Sequence, residues 1–69
     1  MGQIAVLGEF VQVRGWATAG LLAVAADDAE QVRAGWAALP TDVDLVLLTP
    51  NAARALGETA DARLVAVLP

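Results

Sequence analysis

The stretch IAVLGEFVQVRGWATAG, residues 4–20, opens as an apolar run, breaks at Gly8-Glu9, and resumes at a spacing that suits a helix. An apolar run without in-out alternation reads as a strand covered on both faces, the habit of parallel sheets flanked by helices. Three further runs of the same kind follow: LLAVA (21–25), VDLVLL (43–48) and RLVAVL (63–68). Each is separated from the next by an interval long enough for a helix or a short helix with its loop.

Those intervals carry helix punctuation. Over 9–18, an α-helical repeat brings Phe10, Val13, Ala17 and, at the margin, Trp16 to one face, and Gly20 ends the helix. The second interval opens DDAE, where Asp27 suits the N-cap and Glu30 can reach back three residues later. Ala29, Val32, Trp36 and Leu39 then share a face, and Pro40 stops the helix. The third opens with Thr49 as N-cap and Pro50 at the first helical position, where its missing N–H costs nothing, and Gly57 suits the C-cap. ETADA (58–62) reads as a polar loop before the last strand.

The order βαβαβαβ with right-handed crossovers predicts one α/β domain over residues 1–69, a small four-stranded parallel sheet in strand order 2-1-3-4 with helices on both faces. Ligands of such sheets collect beyond the carboxyl ends of the strands, where the winding reverses. Here that crevice lies between Gly8, Glu9, Thr49 and Asn51.

Chemistry at the crevice is constrained by what is missing. A dinucleotide fingerprint needs glycine where Phe10 stands, and Glu9 adds negative charge where a pyrophosphate would sit. A phosphate-binding loop of the lysine-dependent type needs a lysine, and the chain has none. A receiver-type phosphoacceptor needs a carboxylate where the third strand runs into Thr49. Asp27, Asp28 and Glu30 form the densest acidic group, which helix capping and the helix dipole explain. The only side-chain hydroxyls belong to Thr18, Thr41, Thr49 and Thr59, and no histidine is present to activate one. The expectation is a protein that is not an enzyme and has no cofactor or metal.

The composition points the same way. Of 69 residues, 58 % are apolar, and neither cysteine nor histidine occurs, so packing must stabilise a domain of a size that buries only about 60 % of its unfolded surface. The net charge of −4, with four arginines spread along the chain, offers no basic stripe for nucleic acid. No apolar run approaches the roughly 20 residues of a membrane-spanning helix. With Gln3 leading straight into a strand and no charged leader before it, a cytoplasmic location is expected. Trp16, beside Gly15 at the margin of its helix face, is either core or partner surface, whereas Trp36 reads as core. The second and fourth strands are sheet edges with no lysine, proline or inward charge to blunt them, so self-association through Leu64, Val65, Ala66, Val67 and Leu68 is expected.

Taken together, IAVLGE (4–9), VRGWATAGL (13–21), DVDLVLLT (42–49) and LVAVLP (64–69) resemble the family of F subunits of the V-type and archaeal-type rotary ATPases. The positions are the opening strand with Gly8 and Glu9, then Gly15, Trp16, Ala19 and Gly20, then the third strand ending at Thr49, and a final strand ending at Pro69. Glu9 replaces the family's usual aspartate and Trp16 its usual phenylalanine. The resemblance implies a non-catalytic component of the central stalk, peripheral to a membrane complex, which docks on the coiled-coil D subunit and helps couple ATP turnover to ion transport. It extends to Pro69, so the regulatory role that the family assigns to a following helical segment is not carried over. The alternative expectation is a free-standing, self-associating interaction domain of the same fold.

Overall fold

The computed structural model describes residues 2–57 and 64–69. Its strands are β1 (Gln3–Gly8), β2 (Leu22–Ala25), β3 (Val43–Leu48) and β4 (Leu64–Val67), all parallel and in the order β2-β1-β3-β4. The expected α/β fold and strand order are therefore present. The loop expected at 58–62, and Arg63, lie outside the described residues.

Helices α1 (Phe10–Val13), α2 (Ala29–Ala37) and α3 (Pro50–Leu56) connect the strands, and a 3-10 helix over Arg14–Ala19 continues α1. Sheet register divides the side chains into two faces. Ala5 pairs with Leu22 and Val46, and Leu7 with Val24 and Leu48, so these residues share one face. On that face they form a buried cluster with Val32 and Leu39 at α2 and Ala52 and Leu56 of α3, and Trp36 packs against it. Val6, on the opposite face, is buried, as is Val13 of α1, which packs on β1 and β2. Right-handed crossovers dictate this division, with α1 on one face and α2 and α3 together on the other.

The first helix departs from the expected single α-helical face. Phe10 is 54 % exposed, Ala17 is exposed, and only Val13 of this segment is buried. The physical reason is local: Phe, Val, Gly and Thr are weak helix formers, and the α-helix gives way after four residues to a tighter 3-10 winding. With three residues per turn Trp16, not Ala17, falls in line with Val13. Trp16 is 36 % exposed. The segment ends at Gly20 in the left-handed conformation (φ 88°), as its glycine suggested.

The capping of α2 is also shifted by one residue. Asp28, not Asp27, is the N-cap, its carboxylate accepting from the Gln31 backbone N–H at 2.8 Å. Gln31, not Glu30, reaches back, its Oε1 accepting from the Asp27 N–H at 2.8 Å. Starting the helix one residue later frees the Asp27 side chain, whose Oδ1 accepts from the Phe10 N–H at 3.3 Å and satisfies a free donor of the first turn of α1. Within α2, Val32 is buried and Trp36 half-buried, but Ala29 is exposed rather than on the core face. Leu39, buried, lies beyond the helix end. The third helix matches its sequence reading: Thr49 Oγ1 accepts from the Ala52 N–H at 3.3 Å, Pro50 opens the helix, and Gly57 follows it at φ 52°.

The strands are not all covered on both faces. Every residue of β4 is exposed, Leu64 at 73 % and Val67 at 55 %. The order of connections is the cause. On the α1 face only the β1-to-β2 crossover supplies a helix, which stands over β1 and β2 and leaves Leu64 and Ala66 open; on the other face Val65 and Val67, at the sheet edge, lie beyond α2 and α3, whose main sheet contacts are with β1 and β3.

Candidate functional site

The crevice expected from topology exists, and its residues are brought together. The carboxyl ends of β1 and β3 lie side by side, with the Thr49 N–H donating to the Leu7 carbonyl at 3.2 Å and the Ala26 N–H to the Gly8 carbonyl at 2.8 Å. Across this junction the Thr49 hydroxyl donates to Glu9 Oε1 at 2.5 Å, and Asn51 Nδ2 donates to Glu9 Oε2 at 3.0 Å. Gly8 is needed because Thr49 is packed against its Cα: a Cβ there would overlap the Thr49 side chain. Thr49 itself is 1 % exposed, and its one hydroxyl both caps α3 and holds Glu9.

Beside this junction opens a cavity of about 210 Å³ between the starts of α2 and α3, lined by Glu9, Asp27, Asp28 and Asn51 among small apolar residues. Three of the lining side chains are carboxylates and none is cationic, a field that disfavours an anion such as a nucleotide phosphate. Each carboxylate already accepts hydrogen bonds: Glu9 from Thr49 and Asn51, Asp27 from Phe10, Asp28 from Gln31. The bonds at Glu9 and Asp27 join separate βα turns, so the crevice acts as a clasp between them. Among the described residues no three of His, Cys, Asp or Glu converge as metal ligands.

The clasp tunes Glu9. The Thr49 hydroxyl first, then Glu9's own backbone amide, hold the carboxyl below the usual glutamate range; slight burial opposes them, and Asn51 and Arg54 add to the lowering. A carboxyl that binds its proton less tightly in the native state contributes stability above its ordinary pKa, and that contribution is lost as pH falls through the lowered value. The melting-temperature difference between the native protein and Glu9→Gln should therefore be constant above about pH 5 and shrink below about pH 4. Its size should be small, because water screens so open a group. Thermal melts across this range test the assignment, and a difference independent of pH down to about pH 3 would refute it.

The partner-surface candidates are more dispersed. Trp16 lies on the 3-10 helix after Gly15, around which nothing would meet an added Cβ within 4 Å. Leu64, Val65, Ala66 and Val67 form β4, and the Leu68 N–H extends the ladder by donating to the Leu48 carbonyl at 2.8 Å. Sequence reasoning missed two features: the Asp27 link to α1, and the exposed Phe10 and Val11 on that helix. The Val-Phe-Gly composition of residues 10–15 was the available signal. Among the described residues no helix is long and apolar enough to cross a membrane. Comparison with models of known protein families, with curated proteins and with solved structures gives no match.

Proposed function

We propose that this chain is a non-catalytic protein-docking domain, and that it serves in the central stalk of a V- or A-type rotary ATPase. The observation that carries the docking reading is the exposure of the apolar side chains of β4 and, on the first helical segment, of Phe10, Val11 and Trp16. Exposed apolar patches of this kind mark interaction surfaces. The polar crevice, by contrast, is occupied by the protein's own hydrogen bonds and has an acidic lining, which supports a structural role for it. The assignment to the stalk rests on the resemblance of the four strand-bearing segments to the F subunits of these ATPases, and it makes the coiled-coil D subunit the partner.

Co-expression with the D subunit of such an ATPase tests this reading. A stable one-to-one complex is expected, with capture weakened at least tenfold by Trp16→Ala and a smaller fall in melting temperature than Trp36→Ala causes. Failure of the D subunit to bind at tens of micromolar would reject the stalk role. Calorimetric titration with ATP and magnesium is expected to show no saturable binding. The unblunted edge at β4 favours one further reading, a free-standing domain that associates with itself.

A further inference from the structure

The hydrogen-bond phase of β4 can be read from its last rung. The Leu68 N–H donates to the carbonyl of Leu48, the residue that lies opposite Val67. In a parallel ladder the backbone groups of alternate residues face the same neighbour, so Leu64, Ala66 and Leu68 turn theirs toward β3. The N–H and C=O groups of Val65 and Val67 point the other way, where no strand lies beyond β4 among the described residues. The next residue in that phase is Pro69, which has no N–H. The open edge is therefore a ladder of two donors and two acceptors, stopped at its carboxyl end by a proline.

The two edges of the sheet differ. At β2 the 3-10 helix packs on the strand, and Leu22, Ala23 and Val24 are only partly exposed. At β4 all four residues are exposed, Leu64 and Ala66 on one face and Val65 and Val67 on the other. The strand has no charge, no proline within it and no register shift against β3, so it lacks the devices that keep an edge from pairing. Apolar residues on both faces without alternation are the pattern of a strand inside a sheet, not at its rim.

We propose that the β4 edge is a site of strand addition, and that its occupant is an extended segment of a partner protein, apolar at its centre and flanked by Lys or Arg. Only an extended segment presents free N–H and C=O groups at the spacing of Val65 and Val67, since a helix keeps its own bonded internally. Affinity in this mode comes from main-chain hydrogen bonds and specificity from alternate side chains, so no broad face is needed. A second copy fits worse, because a four-residue edge falls far short of the roughly 800 Å² per partner that joins two folded bodies, and each body here carries a charge of −4. The same charge favours basic flanks on the incoming segment. The inference rests on the docking reading above but not on the rotary-ATPase assignment, and it uses the edge of the sheet opposite to the one on which the Trp16 segment packs.

Amide NMR of the isotope-labelled full chain, titrated with a synthetic peptide that copies residues 63–68 and carries added lysines at both ends, tests it. Saturation by about 1 mM peptide is expected. The Val65 and Val67 amide protons should shift downfield as they gain hydrogen bonds, while those of Ala66 and Leu68, already bonded to β3, move least. Val67→Pro removes a free donor and none of the β3 ladder, so it should weaken binding at least tenfold with the rest of the amide spectrum unchanged. Val67→Thr, which keeps the backbone groups, should bind much as the native chain does. The same peptide N-methylated at every central residue should not bind, a check that holds even where the proline variant fails to fold. Absence of saturation overturns the proposal, as do shifts centred on Phe10, Val11 and Trp16 or undiminished binding of the N-methylated peptide. A chain that sediments as a dimer without peptide, and as a monomer in Val67→Pro, also overturns it, because the occupant is then a second copy. A chain that ignores the peptide yet captures the D subunit overturns it and keeps the stalk reading, whereas one that binds the peptide through Val65 and Val67 and ignores the D subunit supports it and rejects the stalk.

Discussion

Leu7→Ala should destabilise the domain by about 2–5 kcal/mol, the range for truncating a fully buried leucine. Leu7 has no exposed surface and sits on the central strand, paired with Val24 on one side and Leu48 on the other. The α2 helix comes down directly on it, close enough that a Cβ added to Gly35 would lie 3.2 Å from Leu7 Cδ1. Layers on both sides hold the cavity open, so little of the loss can be recovered by collapse. At about 0.05–0.15 kcal/mol per residue a chain of this length has about 3–10 kcal/mol in total, and the variant should be largely unfolded at the lower end of that range. Urea denaturation followed by circular dichroism measures the effect. A loss below about 1 kcal/mol with an unchanged urea dependence would mean that this face is not the main core.

Gly8→Ala should cost about 3 kcal/mol or more, above the usual range for one added methyl, because the atoms in its way cannot retreat. The new Cβ would meet Thr49 Cγ2, Oγ1 and Cβ together, not the tip of a flexible side chain. Thr49 is buried, caps α3 and holds Glu9, so relieving the overlap must separate the ends of β1 and β3 or undo the clasp. A double-mutant cycle makes the cause visible. Thr49→Ala alone should cost about 0.5–2 kcal/mol as a lost cap, but in the Gly8→Ala background it should cost less or restore stability, since it removes the colliding atoms. Additive losses would show that the two residues do not compete for the same space.

Both predictions depend on contacts between distant parts of the chain, and that is where the sequence ceases to be legible. The strands are readable because apolar runs of four to six residues between helix punctuation have few other interpretations. Thr49, Pro50 and Gly57 mark the third helix because each acts through its own backbone position. The crevice can be located from strand order alone, since the winding must reverse beside the central strand. The first helix escapes a sequence reading because a 3.6-residue repeat does not apply where weak helix formers wind at three. Asp27 and Asp28 are indistinguishable as caps from sequence because either can serve, and the choice depends on Phe10, a residue 17 positions away.

By itself, then, the chain's pattern of apolar runs, prolines and glycines determined the α/β class and the parallel sheet, because these follow from local backbone chemistry and the alternation of strands with helices; the order β2-β1-β3-β4, and with it the position of the crevice, was the most economical expectation, and the fold has it. Tertiary structure alone decided that Glu9, Thr49 and Asn51 close that crevice with hydrogen bonds and that Gly8 must lack a side chain. It also decided that Leu64, as apolar as any core residue, stands uncovered. An apolar side chain is buried only if some element arrives to cover it, and on the α1 face of β3 and β4 the described chain sends none.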